Sequence, residues 1–439
     1  MLRASMACTA TLRAITTSQP AGSARSKPLT TTRDIEITRI GAQGDGIGDR
    51  TFVPLTLPGE TVRARIDGER GEIDELLTRS ADRVTPPCPH FGVCGGCSLQ
   101  HWAAGPYLAW KRDRIIEALS REQLETDVLA TFASPPASRR RLALHARAAK
   151  GGAVVGFKER RSWKLVPIEV CPITDPRIVA ALPALRTLAR PFLEHPKSAP
   201  TLHVTLTRTG LDIDITGVEA KSGGLSADAR VRAAMIAQEA DFARVTMAGE
   251  AIYATREAIV TLGQAHVALP PGAFLQAVPQ AEAAMAAFML EAVSGAARIA
   301  DLFCGVGTFT FRLAEVGTVL AADSSAPAIA ALKSAAGRAP GLKTITAEAR
   351  DLAKRPVLSR ELAKIDAVVF DPPRAGALEQ AGEIARSKVG RVVGVSCNPA
   401  TFARDARVLI DAGFKLDRVL PVDQFLWSPH VELVGVFSR

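Results

Sequence analysis

The chain reads as an α/β protein in three parts. A small β-barrel of OB type comes first, then an α/β central domain holding a cysteine cluster, then a C-terminal doubly wound, Rossmann-like domain. Three observations predict this. Residues 34–85 run as short alternating strands broken by glycine turns; Cys88, Cys94 and Cys97 crowd into ten residues after Pro86-Pro87; and from Pro271 onward apolar strands alternate with helices. At 439 residues the chain exceeds one ordinary core.

Residues 1–33 are Ser/Thr-rich and carry Arg3, Arg13, Arg25, Lys27 and Arg33 without an acid. That is transit-peptide chemistry, and equally that of a disordered extension, which is how we assign it. More than half of the formal charge of +9 sits there, so the remainder is only mildly basic. Nucleic-acid binding is permitted through local patches, not required by net charge. No apolar run approaches the roughly 18 residues that cross a bilayer, so no membrane role is expected. Seven cysteines, an odd number, do not look like a secreted disulfide framework; metal binding plus catalysis in a reducing compartment fits better.

In the barrel, Ile35-Glu36-Ile37, Thr51–Leu55, Glu60–Ile66 and Gly71–Leu77 read as strands around the Gly41–Gly48 turn. Tyr107 to Leu119 has the pattern of a basic amphipathic helix. Leu202–Leu206 and Leu211–Ile215 read as central strands, with a helix over Val231–Glu239. The C-terminal part reads helix Ala281–Val293, strand Arg298–Phe303, helix Thr308–Glu315, strand Thr318–Asp323 and helix Ala326–Ala336. Strands follow at Lys343–Ala347, Ile365–Phe370, Arg391–Ser396, Lys415–Val422 and Val431–Phe437. The last two have no helix between them and are expected to form an antiparallel hairpin at one sheet edge.

Asp301 to Phe309 sits where the first of these strands turns into its helix. Gly305 and Gly307 let a ligand approach the backbone, and Asp323 closes the next strand where ribose hydroxyls need an acceptor. A third glycine is missing, since Thr310 stands there. This suits a nucleoside cofactor without pyrophosphate, of which S-adenosylmethionine is the usual one. Asp371-Pro372-Pro373 ends a buried strand and can hydrogen-bond a flat polar base; it would serve an amino-group methyltransferase as well.

Cys397, in Ser396-Cys397-Asn398-Pro399, would face the same cleft. C5 of a pyrimidine has no lone pair, so a nucleophile must add at C6 before C5 can take a methyl group, and a thiol does this. The following helix N-terminus is expected to lower the thiol pKa toward neutrality. A base must then remove the C5 proton, and Glu432 in His430-Val431-Glu432 is the candidate. Cys88, Cys94 and Cys97 with the distant Cys171 are more typical of a cubane iron–sulfur centre than of zinc, which more often takes repeated Cys-x-x-Cys pairs. Arg139-Arg140-Arg141 and Lys158–Lys164 with Trp163 are candidate RNA contacts.

From about Asp34 to the end these motifs resemble, in order and spacing, the S-adenosylmethionine-dependent RNA uracil-5 methyltransferases. The chain is most similar to the branch that acts on 23S rRNA and carries a TRAM barrel and a [4Fe-4S] cluster. The resemblance implies a class I methyltransferase domain over 271–439, a TRAM barrel over 34–85, and a central domain over 86–270 with cluster and RNA contacts. It implies Cys397 as nucleophile and Glu432 as base. Gln276, Phe303, Gly305, Thr308, Asp323 and Asp371 then fall at the cofactor, and Cys88, Cys94, Cys97 and Cys171 ligate the cluster. The expected partner is 23S rRNA or its precursor, met by a cytoplasmic monomer; tRNA is the alternative, and an rRNA-binding assembly factor the non-enzymatic one. Three positions depart from the pattern: Val278 where the family has asparagine, Asp323 for glutamate, and Leu426-Trp427 for Pro-His.

Overall fold

The structure is a computed structural model and describes residues 31–220 and 224–439. The expected extension therefore lies outside the described residues, apart from Thr31–Arg33. Those three already belong to the first strand, Thr31–Glu36, because Thr61–Asp67 pairs antiparallel along its whole length.

The N-terminal unit is a six-stranded sheet. Its strand order is Thr31–Glu36, Thr61–Asp67, Arg70–Thr78, Thr51–Val53, Gly46–Gly48, Arg39–Ile40. Alternating apolar residues turn Ile35, Ile37, Val53, Val62, Ala64 and Ile66 into one small core. The central sheet has seven strands, with Arg141–Ala149, Thr201–Thr207 and Gly210–Thr216 in its middle. One face is packed: Leu142, Leu144, Val204 and Ile213 meet Leu185, Leu188 and Ala233 of the covering helices.

The C-terminal sheet runs Ile345–Ala349, Thr318–Asp323, Arg298–Leu302, Ala367–Phe370, Arg391–Ser396, Glu432–Ser438, Lys415–Asp423. Its first five strands are parallel and the last two antiparallel. The period of two sends neighbours such as Val368 and Val369 to opposite faces, so the sheet separates two cores. Helices Pro279–Ala292, Thr310–Val316 and Ala326–Ala336 build one, and Leu378–Arg386 and Pro399–Asp411 the other. Strand order reverses between Arg298–Leu302 and Ala367–Phe370, and a crevice at such a switch point is where doubly wound sheets bind ligands.

Two expectations need correction here. The final hairpin is not a free edge: Asp127–Val128 and Phe132–Ala133 pair parallel with Lys415–Asp423. Residues 104–133 thus join the C-terminal sheet, although they fall in the segment 86–270 assigned to the central domain. Helix Ala104–Arg121 lays Ile115 and Leu119 into the same core as Val419 and Phe437. The reason is that a bare outer strand would leave its backbone groups and one apolar face in water. Among the described residues no helix is long and apolar enough to cross a membrane.

Candidate active site

The turn after Arg298–Leu302 holds three left-handed residues: Phe303 (φ +63), Gly305 (φ +55) and Gly307 (φ +95). A Cβ on Gly307 would stand 2.6 Å from the Phe311 ring, whereas one on Gly305 would meet nothing within 4 Å. The first glycine faces open space and the second allows the helix to close on the turn. Asp323 Oδ2 accepts the Gly305 N–H at 3.0 Å and its Oδ1 accepts that of Ser325 at 2.8 Å. Each oxygen keeps a lone pair for an incoming hydroxyl. Beneath them Asp301 is buried, with Oδ2 accepting from the Thr310 hydroxyl at 2.5 Å and Oδ1 without a partner. Burial, together with Asp371 and Asp323 nearby, pushes its carboxyl up to about 7. An open glycine turn, a strained Phe303 and an outward carboxylate together fit a nucleoside. Phe303, Gly305, Thr308 and Asp323 are brought together here.

Asp371 lies at the end of the neighbouring strand and is linked to Glu432 through two carboxamides. Gln276 Nε2 donates to Asp371 Oδ2 at 3.0 Å. Gln424 Nε2 donates to Gln276 Oε1 at 2.8 Å and to Glu432 Oε2 at 2.6 Å. Gln424 Oε1 accepts the Ala277 N–H at 3.3 Å, which sets the orientation of that amide. Gln276 is held in turn by Arg140, whose Nε donates to the Gln276 carbonyl at 3.0 Å while its guanidinium pairs with Glu282. Burial, reinforced by Asp371, raises the Glu432 carboxyl to about 8, and the Gln424 hydrogen bond opposes the rise. Asp371 is raised to about 7 by burial, with Gln276 opposing. Both are thus proton-holding groups near neutrality. Sequence reading placed Gln276 with the cofactor only, and missed Gln424.

Cys397 follows the strand Arg391–Ser396. Asn398 caps the next helix by accepting the Ala400 N–H at 3.2 Å. The same side chain donates to the Arg374 carbonyl at 3.2 Å, tying the thiol turn to the Asp-Pro-Pro-Arg segment. The thiol is half-buried, and its pKa moves opposite to the expected direction. Burial raises it, Glu432 and Asp371 raise it further, and the Arg374 cation opposes them. Burial first, and then the two carboxyl groups, outweigh the helix end, whose partial charge is only about half an electron.

Cys88, Cys94, Cys97 and Cys171 line one cavity of about 270 Å³, with Phe91, Leu142, Phe157 and Ile168 as apolar wall. Burial, with the neighbouring sulfurs, pushes the Cys97 thiol up to about 12. Among the described residues no group of three or more Cys, His, Asp or Glu stands close enough to hold a single metal ion.

The basic runs are largely occupied. Arg160 and Arg161 both pair with the buried Asp45 of the N-terminal unit, at 2.5 and 2.9 Å, and Lys164 pairs with Glu159. Lys158 covers the Trp163 ring at 3.9 Å, and Trp163 stands 79% exposed.

Residues 263–439 match the model of the tRNA (uracil-5-)-methyltransferase family. An uncharacterized RNA methyltransferase of Caulobacter vibrioides is 70% identical over 414 residues, covering 93% of this chain and 100% of its own. The 23S rRNA (uracil(1939)-C(5))-methyltransferase RlmD of Chromohalobacter salexigens is 32% identical, covering 95% of this chain and 92% of its own. Among solved structures, the Pyrococcus abyssi tRNA (uracil-54, C5)-methyltransferase in complex with S-adenosyl-L-homocysteine matches with a TM-score of 0.70 at 23% identity. That match covers 92% of this chain and 100% of the other, and shows the same fold.

Proposed function

Because the chain belongs to the RNA uracil-5 methyltransferase family, we propose that it methylates a uridine of 23S rRNA, or its precursor, through a covalent adduct on Cys397. The observation that carries this reading is the hydrogen-bonded line Asp371–Gln276–Gln424–Glu432, which sets a buried carboxylate beside the Cys397 thiol. An amino-group methyltransferase has no use for a thiol with a proton acceptor next to it.

The Cys397 thiol gives up its proton to solvent and, as thiolate, adds to C6, and the electron pair of the C5–C6 double bond moves toward C5 and O4. S-adenosylmethionine, when bound, supplies the methyl group that C5 takes. Glu432, as carboxylate, accepts the C5 proton; the C5–H electrons restore the double bond and the C6–S bond breaks, returning the Cys397 thiolate. Gly305 and Asp323 would hold the ribose of the cofactor, with Phe303 and Thr308 beside them, and Gln276 links Asp371 to Gln424 and the base. Choice of ribosomal RNA rests on the 32% identical relative. The enzyme acts as a cytoplasmic monomer. We keep a TRAM barrel over 34–85, a central domain over 86–270 and a methyltransferase domain over 271–439, with residues 104–133 assigned to the catalytic unit on the strand pairing and core they share with it.

Four thiols around one apolar volume, three of them close in the chain and the fourth distant, support a [4Fe-4S] cluster over zinc. Cys88, Cys94, Cys97 and Cys171 would hold it, on the segment that also bonds the loop before Glu432, in a structural and RNA-positioning role.

Replacing Cys397 with Ala is expected to reduce methyl transfer to background while cofactor binding persists. Digesting the product RNA and locating the label by mass spectrometry tests the site: m5U formed by the Cys397→Ala protein would sink the adduct, and methyl on a base nitrogen would favour the amino-group reading.

A further inference from the structure

Outside the residues assigned above, one buried cation stands against the segment that carries the base. Lys111, on helix Ala104–Arg121, has no exposed surface, and neither has its partner Asp423. An ammonium has three N–H donors, and each finds an acceptor. One meets the Asp423 carboxylate, one the Phe425 carbonyl at 3.2 Å, and one the His430 carbonyl at 2.7 Å. These acceptors lie at the two ends of the loop 424–431. That loop begins at Gln424, which holds Glu432, and leads directly into Glu432 itself.

The same helix adds further ties. The Tyr107 hydroxyl donates to Asp423 at 2.7 Å and accepts the Trp427 N–H at 2.7 Å, while Arg114 donates to the Pro429 carbonyl. The cysteine-bearing segment closes the loop from the other side: Ser98 and Leu99 donate their N–H groups to the Trp427 carbonyl at 2.9 and 3.1 Å. Leu426 and Trp427, which depart from the family pattern, pack against Ile40, Leu57, Leu99 and Trp102. The loop is therefore held by three other parts of the chain in addition to its own Ser428–Phe425 turn, with Trp427 left-handed (φ +58).

We infer that Lys111 is a positioning residue for proton removal: through Asp423, Phe425 and His430 it sets Gln424 and Glu432 against C5 of the adduct. This rests on the reading of Glu432 as the base. Only the second half of the cycle needs Glu432, so the inference makes a claim that a simple packing role does not. Losing the clamp should spare methyl transfer and hold the RNA on Cys397. A base displaced by about 1 Å can slow its step by about 100-fold.

The test uses the full-length protein, radiolabelled cofactor and an RNA substrate. It measures cofactor affinity, single-turnover methyl transfer, and the fraction of labelled RNA that stays with protein on a denaturing gel. Lys111→Met is expected to keep the first two near wild type and release RNA about 100-fold more slowly, so that labelled adduct accumulates. Because Lys111→Met leaves Asp423 buried without its cation, the double variant Lys111→Met with Asp423→Asn removes both charges. The double variant should recover melting temperature yet keep the adduct. Release at the wild-type rate would overturn the inference. So would equal loss of transfer and release, or recovery of release together with stability. Glu432→Gln run in parallel separates the two claims: absence of adduct there rejects Glu432 as base, whatever Lys111 does.

Discussion

At Cys397 and Glu432 the cleft works against both of the proposed reacting groups at rest. Burial raises the Cys397 thiol above its ordinary pKa, with Glu432 and Asp371 adding to the rise, and burial with Asp371 raises the Glu432 carboxyl to about 8. A carboxyl raised in this way is a base only above its pKa, so proton removal should quicken as pH rises and level off above about 8. Gln424 opposes the rise by donating to the carboxylate, so Gln424→Ala should move that inflection upward and lower kcat at pH 7 by about tenfold. Steady-state rates across pH 6–9 would show it; an unmoved inflection would mean that Gln424 does not tune Glu432. Cys397, Asp371 and Glu432 could be picked out as candidates because strand ends, prolines and a terminal His-x-Glu mark them in the chain. Gln424 could not, since a glutamine after an apolar strand has no local signature and its role comes from the pairing of Val422 with Glu432.

Among the elements, regular ones were read closely. Thr318–Asp323, Ala326–Ala336 and Arg391–Ser396 have the bounds expected from their apolar periods. The helix after the glycine turn starts two residues later than expected, at Thr310, because Gly305 and Gly307 take left-handed backbone that no helix continues. Gly307→Ala therefore combines an unfavourable φ with a contact 2.6 Å from Phe311, and should cost about 2 kcal/mol. Thermal unfolding with and without S-adenosylmethionine would measure it, and an unchanged melting temperature would contradict the packing argument. The two-residue strands Asp127–Val128 and Phe132–Ala133 could not be anticipated: two residues display no period, and they exist because Lys415–Asp423 offers them an edge.

Across the whole molecule the parts are joined by charges that the sequence suggested for another use. Arg160 and Arg161 were candidates for phosphate, yet each turns its Nη2 donor to Asp45 and so helps fasten the N-terminal unit to the central one. The cysteine segment lies between them, bonded through Gly95 to the Lys158 carbonyl and through Ser98 and Leu99 to the loop before Glu432. A cluster there would brace the junction of all three parts. Protein purified without oxygen is expected to hold about four irons and four sulfides per chain, lost together in Cys94→Ser. Stoichiometric zinc in place of iron would reject the assignment.

The sequence by itself determined the doubly wound sheet, the ends of its strands and the chemical types at those ends. Those properties are local: apolar period, glycine and proline backbone limits, and the presence of a thiol or a carboxyl. Tertiary structure alone decided the direction of the Cys397 shift, the amide line between Asp371 and Glu432, the occupation of Arg160 and Arg161, and the Lys111 clamp. Each depends on distance and burial between residues far apart in the chain, and electrostatic and hydrogen-bond energies are functions of those two quantities.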